Sequence, residues 1–369
     1  MGEPMRVGVV GAGNISHQYF RILSSLSPSP VEVVAVSDRD LPRALAAVEV
    51  MPGARAVPVD ELLAADDIDV VLNLTTPEAH AEVALAALAS GKHVYGEKPL
   101  AANLADSTVV IDAGRKAGLR VGCAPDTVLG TGIQTARKIV DGGTIGTPMS
   151  ATAVMACFGH ELWHPDPEFY YRPGAGPLLD MGPYYLSALI HLLGPVKSVM
   201  GAGSRLRPIR TIASGPRAGT VFQTEVDTHV TGILEHESGA LTTLIMTFDV
   251  AATKASNIEV HGTAGSLIVP DPNVFDGECK LWRAGHTGWS TVSPAAGFAG
   301  AGRGYGLTEM AQAIAEGRPH RASADLAYHV VDCAYTLLES AAERTTLSVE
   351  SRCEVPPLVP LTGCSSRGK

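Results

Sequence analysis

The feature that most constrains the fold is a glycine-containing turn near the N-terminus. The segment VGVVGAGNIS places Gly11 and Gly13 between a short apolar run, residues 6–10, and a helical pattern that starts near Asn14. Gly11 permits a tight turn, and Gly13 lets the backbone approach a pyrophosphate at the N-terminus of the next helix. Ser16 stands where a third glycine is frequent, and it is small enough for close helix–strand packing. A strand, this turn and a helix together indicate a dinucleotide-binding unit.

An acidic residue follows the next strand pattern. Asp38 ends the β-branched run of residues 31–37, about where such units carry the residue that binds the ribose. A carboxylate there accepts hydrogen bonds from ribose hydroxyls and repels a 2′-phosphate, which predicts NAD as the cofactor. Arg39 can stack on adenine or meet a 2′-phosphate, so NADP stays open. The alternative is a glycine turn and a surface acid that bind no ligand.

The pattern of elements changes along the chain. Up to Pro125, short apolar runs alternate with Ala-rich helical segments, which predicts a doubly wound parallel sheet. Beyond it the strands are longer and alternate, and Glu237-Ser238-Gly239 separates two of them as a hairpin turn would. The expected fold is α/β, with a second domain built on an open, mostly antiparallel sheet. The predicted parts are a nucleotide-binding domain (1–125), a substrate-binding and oligomerisation domain (126–350) and a peripheral tail (351–369).

Charge and composition narrow the function classes. The formal net charge is −10, which argues against a protein that binds nucleic acid or anionic lipid. No apolar stretch is long enough to predict a membrane span. The six cysteines form no CxxC pair, which favours free thiols in a reducing cytosol. No secretion signal is recognisable, so the expected location is cytoplasmic.

Two further motifs carry a family resemblance. In GKHVYGEKPL, Glu97-Lys98-Pro99 follows a strand pattern, and TTPEAH ends the strand pattern before it. In GAGPLLDMGPYYLSALIHLLGPV, Asp180 and Tyr184 are four positions apart. Together with GAGNIS, these segments resemble the glucose–fructose oxidoreductase, inositol dehydrogenase and rhizopine-catabolism (Gfo/Idh/MocA) family, from residue 6 to about residue 343.

The resemblance implies a Rossmann domain, an α/β domain with an open sheet, and homodimers or homotetramers formed through that sheet. It implies an NAD(P)-dependent dehydrogenase or reductase acting on CH–OH groups. Hydride would pass between nicotinamide and a secondary alcohol or ketone of a sugar, cyclitol or glycoside. Two alternatives are an NAD-dependent glycosidase that oxidises the sugar transiently and a non-enzymatic nucleotide-sensing regulator. The presence of Lys98 and Asp180 weighs against the regulator.

Three residues are the expected catalytic groups. Lys98 would lie at the carboxyl end of a parallel strand, where its ammonium can stabilise a developing alkoxide. Asp180 and Tyr184 share one helix face, and Asp180 can orient Lys98 or accept a substrate hydroxyl. Tyr184 stands where the family frequently has histidine, and an unperturbed phenol titrates near pH ~10, so it needs a cation such as Lys98 to act as a base. Either Tyr184 or Lys98 would carry the proton, and Tyr184 as a packing residue is the alternative. The resemblance also implies a cis peptide bond before Pro99.

The other site residues follow from their places in the motifs. The residues expected to contact the cofactor are Gly11, Gly13, Asn14, Ile15, Asp38, Arg39, Thr75, Thr76, Pro77, His80, Glu97 and Lys98. Those expected to contact the substrate are Asp126, Trp163, His164, Tyr171 and Arg172. Aromatic faces beside hydrogen-bonding groups suit a sugar ring, whereas loop residues packed on their own domain are the alternative.

One motif predicts a function that we set aside. The string from His160 to His164 matches the zinc-protease pattern HExxH. That chemistry needs both histidines on one face of a stable helix. Gly159 before the string and Pro165 after it make a long helix implausible, so no metal site is expected.

Overall fold

The computed structural model describes residues 3–26 and 29–362, which form a six-stranded sheet, a nine-stranded sheet and a small two-stranded sheet. The strands are β1 (Met5–Val10), β2 (Val31–Ser37), β3 (Arg55–Ala56), β4 (Val70–Asn73), β5 (His93–Gly96), β6 (Val121–Cys123), β7 (Pro148–Ala156), β8 (Val196–Ser204), β9 (Ile209–Thr211), β10 (Val221–Gln223), β11 (His229–His236), β12 (Leu241–Thr247), β13 (Ile258–Gly262), β14 (Gly265–Val269), β15 (Cys279–Arg283), β16 (Ser290–Val292) and β17 (Thr346–Ser348). The α-helices are α1 (Ser16–Leu23), α2 (Leu41–Glu49), α3 (Val59–Ala64), α4 (Pro77–Ala89), α5 (Leu104–Ala117), α6 (Thr131–Asp141), α7 (Pro177–Leu193), α8 (Tyr305–Ala315) and α9 (Ala324–Glu343).

The first sheet is parallel throughout, with the order β3-β2-β1-β4-β5-β6. Its central strand β4 is buried along its whole length, because helices cover both faces. Strand order reverses between β1 and β4, and ligands of such sheets bind outside the carboxyl ends at that point. The predicted doubly wound parallel sheet is confirmed.

The chain divides into two compact units whose bounds differ from the predicted domains. The first unit contains residues up to 129 and also 300–328, which we had placed in the second domain. The physical reason is packing that only the folded chain reveals. Ala324 and Ala327 join the core of the parallel sheet, and Glu309 of α8 accepts hydrogen bonds from Arg318 and Arg321.

A buried carboxylate attaches α8 to the end of the parallel sheet. Asp126 is fully buried, and its Oδ2 accepts the N–H groups of Gly304, at 2.9 Å, and Gly306, at 3.0 Å. These are N–H groups of the first turn of α8, which a negative charge stabilises. This differs from the predicted contact of Asp126 with substrate, because the buried carboxylate binds the N-terminus of α8.

Burial raises the pKa of Asp126 to about 6, although the two backbone N–H groups oppose the shift. Since this pKa lies above that of an unfolded aspartate, the folded protein takes up the proton first as the pH falls. The ionised Asp126 therefore lowers the unfolding free energy at a pH of about 8. This loss disappears as the carboxylate is protonated, when the pH falls through about 6 toward about 4. We expect the unfolding free energy of Asp126→Asn minus that of the wild type to be about 2–3 kcal/mol larger at a pH of about 8 than at a pH of about 4.

Urea unfolding at a series of pH values measures this difference. The matched control is Asp112→Asn, which neutralises an exposed carboxylate on α5 of the same unit. Its pH profile should follow the wild type. Parallel profiles for Asp126→Asn and the wild type would contradict the assigned role of burial.

The second sheet has the order β16-β15-β14-β13-β7-β12-β11-β8-β17. All of its neighbouring strands are antiparallel except the pair β7 and β12, which confirms the mostly antiparallel expectation. Helix α7 packs against β7, β11 and β12 and covers one face. The other face exposes Met200, Ile233 and Leu241, at 50%, 43% and 48%.

The described part of the C-terminal segment is packed rather than peripheral as predicted. Val359 is buried, its carbonyl accepts the N–H of Gly297, and its N–H donates to the side chain of Gln134. Pairing with a distant loop fixes this segment, and its own sequence has no periodic pattern that would predict it. The remainder of the predicted tail, including Cys364, lies outside the described residues. Among the helices of the described residues, none is both long and apolar enough to cross a membrane.

Candidate active site

The turn after β1 needs its two glycines for different reasons. Gly11 has a φ of +100°, and a Cβ there would lie 2.6 Å from the carbonyl oxygen of Leu74. A Cβ on Gly13 would meet no protein atom within 4 Å. Gly11 is therefore required by the fold itself, whereas Gly13 leaves open space for a ligand. Asn14 is exposed, and Ile15 occupies the N-cap position of α1.

One carboxylate oxygen of Asp38 binds this turn, and the other binds the loop that follows β2. Oδ2 accepts the N–H of Ala12 at 2.7 Å, and Oδ1 accepts the N–H of Asp40 at 2.8 Å. The half-buried carboxylate thus stands at the end of β2, next to the glycine turn. Arg39 is exposed. A fixed anion at this place fits the ribose hydroxyls of an adenosine.

The loop after β4 is joined to the loop after β5 by a buried histidine. His80 Nδ1 lies 2.6 Å from the carbonyl oxygen of Pro99, and Nε2 lies 3.1 Å from that of Thr75. His80 thus holds the two loops together rather than presenting its ring to a ligand. Thr76 and Pro77, at the N-terminus of α4, are exposed at the carboxyl edge of the sheet.

In the Glu97-Lys98-Pro99 segment, the Glu97 side chain points into the protein core. Glu97 is buried, where Oε1 accepts the hydroxyl of Tyr19 at 2.7 Å and Oε2 accepts the N–H of Lys98 at 3.0 Å. Its carboxylate is thus occupied within the protein, which differs from the predicted contact with the cofactor. Lys98 itself is half-buried at the carboxyl end of β5. The Lys98–Pro99 bond is cis, as the resemblance implies.

In the second unit, α7 presents its acid in the first turn. Gly176, with a φ of +93°, precedes the helix, and Pro177 occupies its first turn, where no N–H is needed. Asp180 is half-buried, and Tyr184, one turn later, is buried. Asp180 Oδ2 lies 2.9 Å from Nε2 of His160, a residue that sequence reasoning had placed only in the rejected zinc motif.

The predicted substrate residues divide into exposed and buried groups. Trp163 is 60% exposed, and its ring lies 5.4 Å from that of half-buried His164. Tyr171 is fully buried, and its hydroxyl donates to Glu161. Burial, and after it the hydrogen bond to Glu161, raises the pKa of Tyr171. Tyr171 is therefore a packing residue, contrary to the expectation, while Arg172 is exposed and pairs with Glu168.

The HExxH string does not form the helix that zinc proteases use. Only residues His160–Leu162 adopt a short 3₁₀ turn, and His164 Nδ1 accepts the N–H of Asp166. Within residues 3–26 and 29–362, no group of three or more His, Cys, Asp or Glu side chains is arranged to hold a metal ion.

Comparison with known proteins agrees with this arrangement. Residues 5–124 match the oxidoreductase family with an NAD-binding Rossmann fold, and residues 133–268 match the GFO/IDH/MocA C-terminal domain. Trans-1,2-dihydrobenzene-1,2-diol dehydrogenase of Bos taurus is 30% identical over 73% of this chain and 75% of its own length. The chain belongs to the Gfo/Idh/MocA oxidoreductase family.

Other members of the Gfo/Idh/MocA family extend the comparison. Inositol 2-dehydrogenase 3 of Saccharopolyspora erythraea is 29% identical over 85% of this chain and 92% of its own length. A levoglucosan dehydrogenase solved with NADH and L-sorbose superposes with a TM-score of 0.79 at 23% identity, covering 95% of this chain and all of that one. As a member of an oxidoreductase family with an NAD-binding Rossmann fold, the protein is an NAD(P)-dependent oxidoreductase, and the Gly11–Asp38 arrangement fits NAD.

The two glycines give a direct test of the cofactor turn. We expect Gly13→Ala to keep the wild-type melting temperature and to weaken NAD binding at least about tenfold, because the added methyl group enters ligand space. We expect Gly11→Ala to destabilise the first unit by about 2–4 kcal/mol, because the methyl group meets backbone at a positive φ. Calorimetric titration and thermal melts measure the two effects.

Gly118→Ala is the matched control for backbone strain. Gly118 also has a positive φ, of +68°, but a Cβ there meets nothing within 4 Å. It should cost only about 1 kcal/mol. Equal losses of NAD affinity in Gly13→Ala and Gly118→Ala would contradict the placement of the pyrophosphate.

Proposed function

We propose that the protein oxidises a secondary alcohol, or reduces the corresponding ketone, on a sugar, cyclitol or glycoside. The observation that carries the proposal is the place of Lys98, which is half-buried at the carboxyl end of β5 in an NAD-binding sheet. Relatives named for inositol and levoglucosan support the substrate class. Both substrates are polyhydroxylated rings.

The first unit would hold the cofactor through the turn at Gly11 and Gly13. Main-chain N–H groups from Gly13 to Ile15 would face the pyrophosphate, and Asp38 would accept the ribose hydroxyls. Arg39 would lie at the adenine, and Thr75, Thr76 and Pro77 would line the side of the nicotinamide ribose. NAD, when bound, supplies or accepts the hydride at its nicotinamide ring.

The chain's own side chains would bind the substrate oxygen and move its proton. The Lys98 ammonium can donate a hydrogen bond to the reacting oxygen and stabilise negative charge on it. Asp180 can accept a hydrogen bond from a substrate hydroxyl, while Trp163 and His164 offer an aromatic face with a polar neighbour. The proton has two candidate carriers, Tyr184 and Lys98.

A panel of sugars and cyclitols, each offered with NAD and with NADP, tests the proposal through the nicotinamide absorbance. We expect turnover of at least one polyol with NAD, and a loss of about 10²–10⁴-fold in kcat/KM in Lys98→Ala with unchanged NAD affinity. Lys116→Ala, which removes an exposed lysine of α5, is the matched control and should behave as the wild type.

Other outcomes would overturn the proposal. Cleavage of a glycoside with no net change in nicotinamide absorbance would identify the NAD-dependent glycosidase. NAD binding with neither oxidation nor cleavage across the panel would favour the nucleotide-sensing regulator. Full turnover in Lys98→Ala would show that the lysine is not catalytic.

We also propose that the protein is a cytoplasmic homodimer or homotetramer that binds neither nucleic acid nor membranes. Met200, Ile233 and Leu241 leave apolar area on the open face of the second sheet, which supports association through it. Cys123, Cys279 and Cys333 are buried thiols, which supports a reducing compartment. The net charge of −10 supports a small-molecule partner rather than a nucleic acid. Light scattering should give at least a dimer mass, and a monomer at working concentrations would contradict the assembly.

A further inference from the structure

A buried ion-pair cluster fixes the segment that precedes α7. Arg210 is fully buried, and its guanidinium donates to Glu161 at 2.9 Å and pairs with Asp249. Glu161 is also buried, and its main-chain carbonyl accepts the N–H of Ala213. Removing one member of such a cluster leaves an uncompensated buried charge, so the cluster holds Glu161 in one place.

His160 is fixed by its position next to this glutamate. Its main-chain N–H donates to the hydroxyl of Tyr171 at 3.1 Å, and that hydroxyl donates in turn to Glu161. Gly159 has a φ of +101°, and a Cβ there would overlap the Glu161 carboxylate at 2.1 Å. The turn that carries His160 is thus specified by backbone and buried charge together.

The imidazole is fixed as well. Its centroid lies 4.2 Å from the ring of Tyr170 and 4.5 Å from that of Phe248. Nε2 lies 2.9 Å from Asp180 Oδ2, while Nδ1 is buried and has no hydrogen-bond partner among residues 3–26 and 29–362. Since a carboxylate only accepts, Nε2 carries the proton.

We infer that His160 is a positioning residue that sets the orientation of the Asp180 carboxylate. Orientation of Asp180 is therefore determined by the Glu161–Arg210 cluster through the imidazole, and not by α7 alone. The inference rests on the proposed function for its effect on turnover, since Asp180 there binds a substrate hydroxyl. The hydrogen bond that His160 Nε2–H donates to Asp180 does not depend on any substrate.

A pair of amide substitutions separates orientation from packing. In His160→Gln the amide nitrogen can occupy the place of Nε2, whereas in His160→Asn it reaches only the place of Nδ1. Both variants lose the ring and its packing. We expect Asn to lower kcat on the order of 10²-fold, with the KM for NAD and the melting temperature close to those of Gln, and we expect Gln to retain kcat within about threefold.

Equal losses of kcat in the two variants would overturn the positioning role, because packing alone would then explain both. Loss of folding in both variants would not end the test, because the second measurement uses the wild-type ring. That measurement is the ¹⁵N spectrum of histidine-labelled full-length protein. His160 should carry a proton on Nε2, and the Nε2 resonance should move in Asp180→Asn.

A wild-type resonance of the Nδ1–H form, or one unchanged in Asp180→Asn, would overturn the inference without any substrate. The two failures are distinguishable. If the wild type turns over no polyol while the spectrum shows the predicted ring, the proposed function fails and the His160–Asp180 pairing stands.

Discussion

The close approach of β1 to the loop after β4 is the constraint on which the first unit depends. At Gly11 the chain leaves β1 with its N–H donated to Ser37 of β2 and its Cα against the carbonyl of Leu74. No side chain fits there, and the strand order reverses at this place. The same geometry that closes the core therefore exposes Gly13 and the first turn of α1 to a ligand. Asp38 accepts the N–H of Ala12, so the carboxylate proposed to select the cofactor is fixed to the glycine turn.

In the second unit, the segment that contacts the Asp180 carboxylate has little regular secondary structure and must be fixed by other contacts. A buried cluster in which Arg210 pairs with Glu161 and Asp249 fixes this segment. Buried ion pairs add little net stability, but losing one partner is costly. Such a cluster defines one conformation of the segment around His160. Because His160 is fixed, its Nε2 can hydrogen-bond to the Asp180 carboxylate, which is proposed to bind the substrate.

Local sequence predicts the features whose physical cause is local. The glycine turn, the acid after β2, and the spacing of Asp180 and Tyr184 follow from residues within one or two elements, and the structure has them on those elements. Asp126, Tyr171 and His160 are different, because their partners lie far along the chain or on another element. Asp126 binds N–H groups at residues 304 and 306, and no spacing in the sequence indicates this. The packing of residues 300–328 on the parallel sheet escaped prediction for the same reason. For His160, the one available signal was the HExxH string, whose first histidine lies in a 3₁₀ turn and hydrogen-bonds to Asp180.

We propose that the Gly11–Asp38 arrangement selects NAD over NADP for the redox reaction. Calorimetric titration of the full-length protein with NAD and with NADP tests it most directly. A fixed carboxylate at the ribose predicts one NAD bound per chain and NADP affinity lower by at least about tenfold, a difference that Asp38→Asn should reduce. Equal affinity for the two cofactors, or no binding of either, would contradict the claim.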